Sequence, residues 1–100
     1  MYRGTTPTIT FTLPFDTSRI TALNICFSQQ GRIVLEKGLN ECTLSENKIQ
    51  TTLSETDTLS FDSEKEIVEM QLRVGFEEIR AASNIMFFSV ERILKDGVLE

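Results

Sequence analysis

One hundred residues with 40% apolar and 25% charged side chains sit within the range of a single folded domain, far from the composition of a disordered chain. A net charge of −5 and a sequence pI near 4.7, with no basic run, exclude the clustered Lys and Arg of a nucleic-acid or anionic-membrane binder. The absence of histidine removes the commonest general base and zinc ligand.

The opening segment Pro7–Leu13 alternates strictly, with Ile9, Phe11 and Leu13 on one face and Thr8, Thr10 and Thr12 on the other, which predicts a half-buried strand. Pro14 and Asp16-Thr17-Ser18 break the chain, and Leu23, Ile25 and Phe27 mark a second strand over Ile20–Ser28. Gln29-Gln30-Gly31 then reads as a tight turn into the β-branched run Ile33-Val34-Leu35, forming a hairpin. A weaker extended piece at Cys42–Leu44, a turn at Glu46-Asn47 and the alternation of Ile49, Thr51 and Leu53 predict another hairpin.

Ser54 to Leu59 departs from this pattern. Ser54 followed three positions on by Asp57 is the signature of a capping box, so a short helical turn is expected over Ser54–Leu59, with Leu59 and Phe61 tucked under the sheet edge as the chain crosses between sheets. After a polar loop at Asp62–Glu66, Val68, Met70, Leu72, Val74 and Phe76 make the longest alternation and predict a central strand. A turn is expected over Gly75–Arg80. Asn84–Val90 is apolar enough to predict a paired strand covered on both faces, and Ile93 and Leu94 extend that pattern to a turn at Lys95-Asp96-Gly97.

No repeat or linker interrupts the chain, and turn signals recur every 8–12 residues or so, as in sandwiches. Twelve threonines suit a pleated, half-buried surface. The expectation is one all-β domain over residues 1–100, a two-sheet antiparallel sandwich. The N-terminus lacks the apolar stretch of a secretory signal and no run is long enough to span a bilayer, so the chain is expected to stay in the cytoplasm unless assembled into something.

Few side chains qualify for chemistry. Asp57, Asp62, Glu64 and Glu66 cluster in sequence, but acidic residues between strands are ordinary solvated surface, and the segment lacks the central glycine of a calcium loop. Cys26 and Cys42 match no metal-ligand spacing and read as unpaired thiols, a disulfide being the alternative. Without tryptophan, and with Tyr2 the sole phenol, glycan stacking is disfavoured. Neither a catalytic residue nor a cofactor, metal or small-molecule substrate is therefore expected. Residues 51–100 hold eleven acidic against five basic groups and form an acidic surface suited to a protein partner.

The phenylalanines carry the remaining signal. Phe87 and Phe88, adjacent on one strand, must point to opposite faces, so one of them needs a loop, an edge or a partner chain to cover it. Phe15 and Phe76, beside turns, are expected to be partly exposed. These four are the candidate interface residues.

The opening Arg3-Gly4-Thr5-Thr6-Pro7-Thr8-Ile9-Thr10-Phe11-Thr12-Leu13-Pro14-Phe15-Asp16 resembles small proteins encoded by prophages and tailed phages of Gram-positive gut bacteria. The resemblance continues through Leu53–Phe61, Met70–Val74, Ala82–Ile85 and Leu94–Val98; Glu77-Glu78 departs from it, standing where a small, glycine-containing hairpin would be expected. That family is similar in layout to the immunoglobulin-like N-terminal module of phage baseplate upper proteins. The resemblance implies an immunoglobulin-like sandwich acting as a virion-associated structural or adaptor module. Its partners would be other phage structural proteins or a second copy of the chain. A small phage regulator that binds and blocks a host protein is the alternative. No catalytic residue comes with the resemblance.

Overall fold

The computed structural model describes residues 1–65 and 67–99. Among the described residues, eight strands form two antiparallel sheets. The first sheet has the order β1-β5-β4, from Thr8–Thr12, Lys48–Thr52 and Thr43–Ser45. The second has the order β3-β2-β6-β7, from Arg32–Gly38, Ala22–Gln29, Ile67–Phe76 and Ile79–Ala82, and β8 (Met86–Ser89) also pairs with β6.

Alternation becomes burial directly. Phe11, Leu23, Ile25, Phe27, Ile49, Val68, Met70, Leu72 and Val74 are all buried between the sheets, and the intervening residues face outward. Three phenylalanines from separate segments close the centre. Phe27 and Phe61 meet edge-on at 5.9 Å, and Phe88 stands edge-on to both, at 6.3 and 6.2 Å. Each such pair adds about 1 kcal/mol to the burial of its rings.

The expected hairpins are present. Gln30 and Gly31 both adopt positive φ, 51° and 77°, the conformation of a type I′ turn whose twist matches that of the strands it joins. At the crossing between sheets, α1 (Glu55–Leu59) starts with the expected capping box: Ser54 Oγ accepts from the Asp57 amide, and the Asp57 carboxylate accepts from the Ser54 amide. Gln29, 2% exposed, has both ends of its amide bonded to the Asp62 backbone, so the polar group is satisfied inside the core.

The N-terminus is built into the second sheet. Tyr2 bridges Glu91 in parallel, and the Met1 ammonium bonds Ser89 O at 2.8 Å and the Glu91 carboxylate at 2.6 Å. Arg3 donates to the carbonyls of Leu59 and Phe61 and to Asp96, tying the first residues to the end of α1.

Four expectations are corrected. The strand β6 runs through Gly75 to Phe76, so the turn is confined to Glu77-Glu78, with Glu77 at φ 55°, and β7 starts at Ile79. Phe87 is 65% exposed, so the Asn84–Val90 strand is covered on one face only. Beyond Glu91 no strand continues the pattern among the described residues, and Leu94 is 96% exposed. The acidic surface of the second half is also smaller than expected, because four of its eleven acidic groups are taken up in ion pairs. Asp57, Glu77, Glu91 and Asp96 are each engaged by a cation: Lys37, Arg19, the N-terminus and Arg3.

Candidate interaction face

The outward side of the five-stranded sheet is the most distinctive surface of the molecule. Its registers arrange the side chains in rows across the strands. One row runs Ile33, Ser28, Glu69, Phe87. The next holds Glu36, Cys26 and Gln71, and the third runs Gly38, Asn24, Arg73, Ala82. Apolar side chains stand out of this polar lattice: Phe87 at 65%, Ile33 at 59%, Ile67 at 49% and Ile85 at 48% exposed.

Ile85 owes its position to a β-bulge. Arg73 pairs with Ala82 and Met70 with Met86, so the edge strand carries one residue more than β6 between these points. Ser83 repairs the break: its amide donates to Leu72 O at 2.8 Å, and its Oγ accepts from the Leu72 amide at 3.0 Å. The polar Ser83-Asn84 pair before the apolar run was the available signal for this irregularity.

Two shallow depressions lie along the same face. One, about 70 Å³, is bordered by Cys26, Ser28, Glu69, Gln71 and Ile85; the other, about 200 Å³, by Ala22, Asn24, Arg73, Gly75 and Arg80. Burial raises the Cys26 thiol above its usual pKa and the neighbouring Glu36 carboxylate adds to the shift, so the sulfur is held protonated.

Of the four candidate interface residues, Phe87 faces outward from this sheet. Phe88 lies on the inner face against Phe27 and Phe61, and Phe15 and Phe76 pack on each other at 5.5 Å at one end of the sandwich, both half-buried.

The acidic cluster is dispersed. Asp57 bonds Lys37 at 2.8 Å; burial works to raise its carboxyl, but the bonds from Lys37 and Ser54 outweigh this and hold it below the usual carboxylate range. Asp62 accepts from the Glu64 amide at 2.9 Å, and Glu66 lies outside the described residues. Among the described residues no three acidic, cysteine or histidine side chains are placed to hold a metal. Cys26 and Cys42 are free thiols. No helix of the described residues is long and apolar enough to cross a membrane.

The class these sheets define is the immunoglobulin-like β-sandwich. The orders β1-β5-β4 and β3-β2-β6-β7/β8 correspond to strands B-E-D and C′-C-F-G of that fold, and Met1–Arg3, pairing with the last strand, stands in the place of the first. No protein-family model matches the chain, and no curated protein matches it. Among solved structures, it is similar to the strand-swapped dimer of the immunoglobulin-like domain of mouse leukocyte-associated immunoglobulin-like receptor 1. The identity is 10%, the TM-score is 0.48, and the alignment covers 93% of this chain and 84% of that one.

Proposed function

We propose that this chain is a non-catalytic protein–protein interaction module, a structural or adaptor domain of a tailed-phage virion that presents the outer face of its five-stranded sheet to a protein partner. The observation that carries the reading is the placement of Phe87, Ile85, Ile67 and Ile33 on one rigid, solvent-facing sheet. Each leaves apolar surface in water at a cost of about 25 cal/mol per Å², which contact with a partner would recover. A sheet face with shallow depressions suits a protein surface better than a small molecule, which takes a concave pocket burying most of its area. The phage setting rests on the sequence resemblance.

The test is mass spectrometry of purified particles carrying the wild-type chain or Phe87→Asp. The wild type is expected at a fixed copy number per particle. The variant, folded by circular dichroism, is expected to be depleted from particles. A wild-type chain absent from particles and recovered on one host protein would replace this reading with that of a host-directed regulator.

A further inference from the structure

We infer that the outer face of the five-stranded sheet is self-complementary and closes on a second copy of the chain, an inference that deepens the interaction-module reading and rests on it. The argument comes from the strand registers. Consider two copies packed face to face about a two-fold axis that lies between them and crosses the strands at the level of Cys26 and Gln71. The row two residues to one side of the axis then meets the row two residues to the other side in the second copy.

In that arrangement Ile33 meets the second copy's Gly38, Ser28 meets its Asn24, Glu69 meets its Arg73, and Phe87 meets its Ala82. Large faces small at both margins, and acid faces base in the middle. Each pairing occurs twice by symmetry. Glu69 and Arg73 make no ion pair with any described residue of their own chain, so both charges are available. Cys26, Gln71 and Glu36, on the axis, meet their own copies, so the two Glu36 carboxylates at the margin are the one like-charged pairing.

The physical dimensions permit this. Face-to-face sheets pack about 10 Å apart with strands about 30° off parallel. Two residues from the axis, that rotation displaces facing side chains by about 3.4 Å, less than one strand spacing, so the pairings survive. Four strands over about eight residues present roughly 500 Å² per copy, and a total near 1,000 Å² is at the lower limit for a specific interface. Charge also permits it: the molecule carries −5, yet on this face the acids Glu36 and Glu69 are matched in number by the bases Arg73 and Arg80.

The experiment is sedimentation equilibrium on four purified proteins: wild type, Glu69→Arg, Arg73→Glu and the double exchange. Wild type should dimerise reversibly. Each single reversal sets like charges opposed at two symmetry-related contacts and should weaken the dimer about a hundredfold, with the melting temperature of the dilute monomer unchanged. The double exchange should return the dissociation constant to within a few-fold of wild type. A wild type that stays monomeric to millimolar concentration overturns the inference, as does a double exchange that fails to recover. A monomer still incorporated into particles through Phe87 would refute the dimer alone; a dimer absent from particles would refute the virion role alone.

Discussion

Phe87 and Phe88 are chemically identical neighbours in different environments, and the energetic gap between them can be worked out. Phe88 is half-buried, in edge-on contact with Phe27 and Phe61. A fully buried phenylalanine costs about 3–5 kcal/mol when cut to alanine, and partial exposure brings the expectation for Phe88→Ala to about 3 kcal/mol. Phe87 is 65% exposed, and Phe87→Ala should cost no more than about 0.5 kcal/mol in the monomer. Against a total stability of about 5–10 kcal/mol for a domain of this size, the first loss lowers the melting temperature by at least about 12 °C and the second by about 4 °C or less. The assay is urea denaturation followed by circular dichroism at low micromolar protein, where self-association does not contribute, with the slope checked for constancy across variants. Equal losses at the two positions, or a greater loss at Phe87, would refute the facing of β8 and with it the interaction face.

Other expected outcomes follow from local structure. Ser54→Ala removes the acceptor for the Asp57 amide and should cost about 1 kcal/mol by chemical denaturation. Gln30 sits at φ 51° in a turn that favours asparagine at that position, so Gln30→Asn should raise stability by about 0.5 kcal/mol in the same assay. Stability should be flat from about pH 5 to 7, because the chain has no histidine to titrate in that window. Asp57 is held below its ordinary 3.8, so its contribution is present above that value and is lost as the pH falls through the folded pKa; acid titration should show that loss and Asp57→Asn should reduce it. Lys37 is shifted the other way, chiefly by its bond to Asp57, so its contribution persists up to its ordinary 10.5 and is lost only in stronger alkali.

Much of the fold is written in local pattern. The alternations at Ile9–Leu13, Leu23–Phe27 and Val68–Phe76 translate into β1, β2 and β6 because each inward residue needs an apolar neighbour and each outward one tolerates water. The expected tight hairpins and the capping box at Ser54 rest on interactions within a few residues, and the repeated period-two alternation with regularly spaced turn signals decided the all-β class. What the chain order could not supply was anything fixed between distant segments. The use of Met1–Arg3 as an extra strand depends on bonds to Ser89, Glu91, Leu59 and Phe61, none of which leaves a local trace. The bulge at Ser83–Ile85 depends on register against β6. The sequence requires that Phe87 and Phe88 diverge, because strand side chains alternate; only the packing of the first sheet and of Phe61 against its inner face decides that Phe88 is the covered one. The rows that set Glu69 level with Phe87 and Arg73 level with Ala82 likewise exist only once β2, β6 and the edge strand are paired, since a one-residue slip of a strand would carry its outward side chains to the core.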